Sequence, residues 1–182
     1  MKIALIPARG GSKRIPRKNI KYFRDLPMIA WSIKAACAAG CFDRIIVSTE
    51  DDEIGEISKS YGAEVPFKRS EELANDYATT QAVVLDAINW CANEGIKLQA
   101  LCCIYATAPF VQTNDLVEGW KLLQSDPLNS FVFTATSFGF PIQRAIRIDR
   151  HGYSSPFDQE SISKRSQDLE EFFHDAGQFY LA

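Results

Sequence analysis

Residues 6–19, Ile-Pro-Ala-Arg-Gly-Gly-Ser-Lys-Arg-Ile-Pro-Arg-Lys-Asn, bring two adjacent glycines together with Arg9, Lys13, Arg14, Arg17 and Lys18. Glycines let backbone N–H groups close on an anion as a nest. Clustered Lys and Arg add charge-assisted donors suited to phosphate oxygens. Electrostatically the stretch is a polyphosphate cradle, because a triphosphate carries enough charge to engage several of these cations. Two familiar phosphate motifs fail on spacing. The Walker pattern ends in Gly-Lys-Ser/Thr, whereas Ser12 here precedes Lys13, and no GxGxxG is present. The competing reading is a solvated basic loop. Paired glycines directly after a strand-like run, at the edge where open parallel sheets bind ligands, argue against it.

The elements that must hold this cradle are short apolar runs alternating with segments of helical period. Residues 3–6 form a buried strand closed by Pro7 and the glycines. Ile29, Ile33, Ala36 and Cys37 recur at helical spacing with Gly40 as C-cap. Residues 45–47 are a second strand. Thr49, three residues before Asp52, starts a helix running to about residue 61, and residues 64–67 are a short third strand. Val83, Val84, Ala87, Ile88 and Cys91 mark a long helix ending near Gly95. A strand at 100–105, a helix carrying Leu116, Val117, Trp120 and Leu123, and a strand at 130–136 follow. Strands separated by helices predict an α/β fold, a Rossmann-like, mostly parallel sheet flanked by helices. The pattern breaks at about 137–168, where Pro141, Gly152 and Pro156 accompany β-like pieces such as 145–148. This span reads as an inserted β-rich arm or dimer contact within one domain covering 1–182. Residues 178–181 look like a returning strand.

Composition bounds the rest. The chain has 182 residues, a net charge of -3 and 46% hydrophobic residues. That length buries a sufficient core without staples. No basic footprint points to nucleic acid, and no run approaches the ~20 apolar residues of a membrane span. Cys37, Cys41, Cys91, Cys102 and Cys103 lack disulfide-framework or CxxC spacing and read as reduced core cysteines of a cytoplasmic protein. No His/Cys/Asp cluster has zinc spacing. His151 precedes Gly152 in a hairpin turn, and Trp31, Trp90 and Trp120 fall on helical stripes as core residues. The acidic run 50–53 is an ordinary complement to a helix start.

Residues 6–19 closely resemble the signature of the cytidylyltransferases that make CMP-nonulosonic acids. Residues 69–80, Arg-Ser-Glu-Glu-Leu-Ala-Asn-Asp-Tyr-Ala-Thr-Thr, resemble that family's nucleotide-base loop, and residues 106–109 sit where it has a Pro-Thr-Ser-Pro turn. Residues 165–169 and 174–180 are similar to the pseudaminic acid branch. Together the matches span essentially the whole chain. The resemblance implies a nucleotide-diphospho-sugar transferase type of fold with a dimerisation arm. It implies a cytoplasmic homodimer using CTP, a nonulosonic acid and Mg²⁺, and supplying an activated sugar for bacterial surface or flagellar glycosylation. Residue by residue it assigns Ala8, Arg9, Gly10, Gly11, Ser12, Lys13, Lys18 and Asn19 to the nucleotide's phosphates and sugar. It also implies that Arg9, Lys13 and Lys18 are the catalytic cations. Arg69, Ala78 and Thr80 frame the cytosine, although Arg69 next to Ser70-Glu71-Glu72 also fits a simple ion pair.

For the acceptor sugar the candidates are Tyr105, Gln143, Arg144, Arg165, Gln167, Asp168 and His174, with an arginine suited to the sugar carboxylate. Two departures from the family pattern stand out. Tyr105 replaces a glutamine of the sialic acid synthetases, which disfavours N-acetylneuraminate. The family also continues past this point into a tail with an Asp-x-Asp-type Mg²⁺ site, leaving Asp175 as the nearest metal candidate here. The alternatives are a CMP-sialic, CMP-legionaminic or CMP-Kdo synthetase, or a truncated CTP-binding protein without turnover.

Overall fold

The computed structural model describes residues 1–182. In chain order the elements are β1 (Lys2–Pro7), β2 (Tyr22–Phe23), β3 (Leu26–Pro27), α1 (Met28–Ala39), β4 (Arg44–Ser48), α2 (Asp52–Ser60) and α3 (Glu71–Ala74). They continue with α4 (Thr80–Asn93), β5 (Ala100–Ile104), α5 (Thr113–Ser125), β6 (Val132–Ser137), β7 (Ile146–Ile148), β8 (Ser154–Pro156) and β9 (Phe173–Leu181). Two compact units result: Met1–Phe133 with Gly177–Ala182, and Thr134–Ala176.

The first unit is built on a sheet whose strand order is β4-β1-β5-β9-β6. β1 pairs in parallel with β4 (Leu5 opposite Ile46) and with β5 (Leu5 opposite Cys103). β9 returns antiparallel to β5, with Cys103 opposite Tyr180. The parallel strands β1 and β5 are apolar throughout because both of their faces are covered. On one face Ala4, Ile6, Cys102 and Ile104 meet Ile29, Ile33, Ile54 and Leu116; on the other, Ile3, Leu5 and Cys103 meet Ala87 and Cys91. Gly40 closes α1 at φ 61, a left-handed conformation glycine adopts freely. The tryptophans expected in the core are half-buried and pack at its margin, with Trp31 Nε1 donating to the Phe23 carbonyl at 3.1 Å.

Three local expectations are corrected. The cap of α2 is Asp51, which accepts from the Ile54 N–H at 3.0 Å, while Thr49 Oγ1 accepts from the Asp51 N–H one turn earlier. Residues 64–67 hold a single isolated bridge, Ile46 to Glu64, with a second just beyond them from Thr49 to Lys68, since Pro66 has no N–H to extend a ladder. Cys37 is exposed and Cys41 half-buried; only Cys91, Cys102 and Cys103 belong to the core.

The second unit contains the β7–β8 hairpin, in which Ile146 pairs with Pro156 and Ile148 with Ser154. His151 is exposed in its turn, where its N–H donates to Asp149 Oδ1 at 2.8 Å. Phe157 N–H donates to the Ala145 carbonyl at 2.7 Å, and Phe138 N–H to the Phe172 carbonyl at 3.2 Å. No helix of the chain is long and apolar enough to cross a membrane.

Candidate active site

At the carboxyl end of β1 the chain leaves the sheet through Arg9 and passes through the 3₁₀ turn Lys18–Ile20 into the separate β2–β3 pair. The buried Asn19 ties that loop together by donating Nδ2 to the Arg9 carbonyl at 2.8 Å. Beside the loop lies a cleft of about 520 Å³ within the first unit. Its cationic wall is Arg9, Lys13, Arg14 and Lys18, with Ser12 and Asn19. The opposite wall comes from residues 69–80 and the start of α4: Arg69, Asn75, Asp76, Ala78 and Thr80. Tyr105 and Thr107 follow β5 at the same sheet edge and close the cleft. Thr79 caps α4 by accepting from the Ala82 N–H at 3.1 Å, which fixes the position of Thr80.

Of the residues assigned to the nucleotide, Arg9, Ser12, Lys13, Lys18, Asn19, Arg69, Ala78 and Thr80 are therefore gathered around one cavity. Arg69 does not pair with its acidic neighbours. It is buried, and its guanidinium donates to the hydroxyl and the carbonyl of Ser48. Burial pushes its pKa down from the ordinary arginine value, yet an arginine stays charged in a protein. Held by neutral partners, it keeps donor capacity for a ligand.

One amide of the expected glycine nest is taken by the protein itself. Ala8, Gly10 and Gly11 do not line the cleft. The Ala8 N–H donates to the Ser48 carbonyl at 3.0 Å and the Gly10 N–H to Glu50 Oε1 at 2.7 Å, so both amides face the protein. Glycine is required at position 10 for another reason: a Cβ there would collide with the Asp51 carboxylate. Arg17 also leaves the cradle. It adopts a left-handed backbone (φ 55) and its guanidinium pairs with Asp51 and Glu53. Those pairs hold Arg17 in a conformation that non-glycine residues rarely take. The same Arg17 contact lowers the Asp51 pKa below the usual carboxylate range.

Arg14, one of the cations expected in the cradle, lines the cleft, and so do Asn75, Asp76 and Thr107, to which the sequence assigns no role. All four lie inside or beside the segments quoted above, so position in the motif was the available signal. Asp76 is the most consequential of them. It accepts from Arg9 Nη1 at 2.6 Å and pairs with Lys13, and both contacts hold its pKa below the ordinary value.

A second cavity of about 610 Å³ shares Thr80 and Tyr105 with the cleft. It is apolar, lined by Val84, Ile88, Leu101, Phe131 and Tyr180. Although larger, it offers no cation to a phosphate. Tyr105 stands between the two, its ring edge-on to Tyr180 at 5.5 Å.

The remaining sugar candidates belong to the second unit. Gln143 donates Nε2 to the Glu170 carbonyl at 2.8 Å and Arg144 donates to the Lys164 carbonyl. Gln143 Oε1 and Arg144 Nε are buried without a partner. Arg165, Gln167 and Asp168 form a 3₁₀ turn, Asp168 N–H donating to the Arg165 carbonyl at 3.0 Å. The His174 ring packs against Phe138 at 4.8 Å, with Nδ1 2.9 Å from the Asp175 carbonyl oxygen. Asp175 is exposed in β9, and no group of three or more His, Cys, Asp or Glu gathers anywhere to hold a metal ion. The side chains present make no all-protein cage for Mg²⁺ around Asp175.

Fold and cleft together define an α/β protein that presents a cationic polyphosphate site at the carboxyl edge of parallel strands. Residues 3–139 match the family model described as Cytidylyltransferase, and the chain belongs to that family. It is 44% identical over 180 residues to a pseudaminic acid cytidylyltransferase of Campylobacter jejuni subsp. jejuni serotype O:23/36 (strain 81-176), covering 98% of this chain and 77% of that protein. An N-acylneuraminate cytidylyltransferase of Escherichia coli O18:K1:H7 (strain RS218 / NMEC) is 31% identical over 99% of this chain and 42% of its own. The fold matches a CMP:2-keto-3-deoxy-manno-octonic acid synthetase solved with CTP, at a TM-score of 0.71 and 16% identity, over 99% of this chain and 73% of that one.

Proposed function

We propose that this chain transfers a cytidylyl group from CTP to pseudaminic acid, giving CMP-pseudaminic acid and pyrophosphate in the cytoplasm, where CTP is held. One observation carries the reading: in a chain 44% identical across 98% of its length to a pseudaminic acid cytidylyltransferase, the nucleotide-assigned side chains surround one cleft. The anomeric hydroxyl of the nine-carbon keto acid attacks the α-phosphorus. A new oxygen–phosphorus bond forms, the bond to the β-bridging oxygen breaks, and pyrophosphate leaves with the electron pair while the hydroxyl gives up its proton. The protein's part is positioning and charge neutralisation.

Arg9, Lys13, Arg14 and Lys18 take the phosphates. Arg69, Ala78 and Thr80 frame the base, whose amino group needs an acceptor and whose carbonyl needs a donor. Gln143, Arg144, Arg165, Gln167, Asp168 and His174 are the groups proposed for the sugar, an arginine being the natural partner of its carboxylate. Mg²⁺ is expected with CTP itself, since that ion keeps waters and favours phosphate oxygens over all-protein cages. No step assigned to these residues depends on it.

Base selection is the testable core of the nucleotide half. The full chain is heated with CTP, UTP, ATP or GTP. CTP is expected to raise the unfolding temperature well beyond the others, a ligand at 100 times its Kd adding about 2.7 kcal/mol. Equal shifts with all four would contradict the assignment of Arg69, Ala78 and Thr80 to cytosine.

A further inference from the structure

Asp76 occupies the phosphate cleft, and nothing in cytidylyl transfer as derived above uses it. Its two carboxylate oxygens are divided between two cations, Oδ1 on Arg9 and Oδ2 on Lys13. We propose that Asp76 is a stand-in for a phosphate group: it holds Arg9 and Lys13 while the cleft is empty and must surrender both when a triphosphate enters. This deepens the reading of the cleft as the CTP site and rests on it.

The carboxylate is fixed where it stands. Asn75 Oδ1 accepts from the Tyr77 and Ala78 N–H groups at 2.7 and 2.9 Å, and Asn75 Nδ2 donates to the Glu72 carbonyl at 2.7 Å. Thr79 then caps α4. Asp76 therefore sits on a tied turn rather than at a loose tip. To a guanidinium or an ammonium, a carboxylate and a phosphate offer the same paired anionic oxygens. While Asp76 is engaged, it neutralises part of the positive field and repels an arriving polyanion.

The exchange is easy in one direction. Side-chain exposures of 33% for Arg9, 32% for Asp76 and 81% for Lys13 place both pairs at the solvent edge, where ion pairs are weak. Arg14 and Lys18 line the same cleft and carry no carboxylate, so a triphosphate can land on them before it displaces Asp76. After bond cleavage, Asp76 competes with pyrophosphate for the same cations and favours its release.

Calorimetric titration of the full chain with sodium tripolyphosphate tests this, alongside CTP. Asp76→Asn is expected to bind tripolyphosphate about fivefold tighter than wild type, the two weak pairs no longer competing. Asp76→Glu, which keeps the charge, is expected to return toward wild-type affinity. In a Lys13→Gln background the gain from Asp76→Asn should shrink, because one of the two competing contacts is already gone. Tripolyphosphate affinity in Asp76→Asn that is unchanged or weaker, through misfolding or otherwise, overturns the proposal. If wild type binds CTP and Asp76→Asn gains nothing, only the role of Asp76 falls. Absence of CTP binding by wild type overturns the cytidylyltransferase reading, and the proposal with it.

Discussion

Lys13 illustrates what a single residue contributes here. Its ammonium is mostly exposed and touches the fold only through Asp76, so removing it should leave stability alone and affect the ligand. Lys13→Ala is expected to weaken CTP binding about tenfold, the loss of one charge-assisted contact, with an unchanged unfolding temperature. An unaltered Kd in equilibrium titration would contradict its placement on the phosphates. The cysteines respond to burial instead. Desolvation pushes the Cys103 pKa up to about 12 and that of Cys102 well above the ordinary value. A raised pKa leaves the thiol protonated at pH 8, and the thiolate is the nucleophile. Iodoacetamide at pH 8 should therefore modify the exposed Cys37 and spare Cys102 and Cys103 until the protein unfolds, as read by peptide mass spectrometry. Early labelling of Cys103 would contradict the packing described for β5.

At the scale of elements, Asp51 couples the start of α2 to the loop that carries the cradle. It caps the helix at Ile54, pairs with Arg17 and lies against Gly10. Asp51→Ala is expected to cost about 2 kcal/mol in urea unfolding, roughly 1 from the cap and the rest from Arg17 left without its main partner. The pH dependence follows from the lowered Asp51 pKa. The unfolded carboxylate binds its proton first as pH falls, so the stabilisation is present above the ordinary value of about 3.9 and is lost as pH drops through the folded value. The gap between wild type and Asp51→Ala should accordingly be wide at pH 6 and narrow as pH falls below the ordinary carboxylate value. This region also shows how far local rules reach. Thr49 and Asp51 both satisfy capping preferences, and only the backbone path makes Thr49 an earlier turn and Asp51 the cap. Unbroken apolar runs reveal β1, β4 and β5, and helical spacing of apolar residues reveals α1 and α4. The 64–67 strand failed because Pro66 limits its pairing.

For the whole molecule, what was legible was whatever the sequence repeats locally: the βα order, the mostly parallel sheet, and two motifs that fold onto the two walls of one cleft. Not legible were contacts between residues far apart in the chain. Arg9 meets Asp76 across 67 positions, and Gly10 meets Glu50 across 40; no spacing rule encodes either. Paired glycines form a nest only where their amides are free, and a tertiary contact claims the Gly10 amide. The second unit exposes Phe140 at 63%, Ile148 at 68% and Tyr153 at 76%, more apolar surface than a solvated hairpin needs. We propose that it mediates a homodimer. Sedimentation velocity should show a dimer that Ile148→Asp with Tyr153→Asp converts to monomer, and a monomeric wild type would contradict this.

Pyrophosphate release reads out cytidylyl transfer to pseudaminic acid. The full chain is supplied with CTP, Mg²⁺ and, in separate reactions, pseudaminic acid, N-acetylneuraminic acid and Kdo. Release is expected with pseudaminic acid and CTP and is lost in Arg9→Ala. Release with Kdo or N-acetylneuraminic acid in preference, or none with pseudaminic acid from a chain that binds CTP, would contradict it.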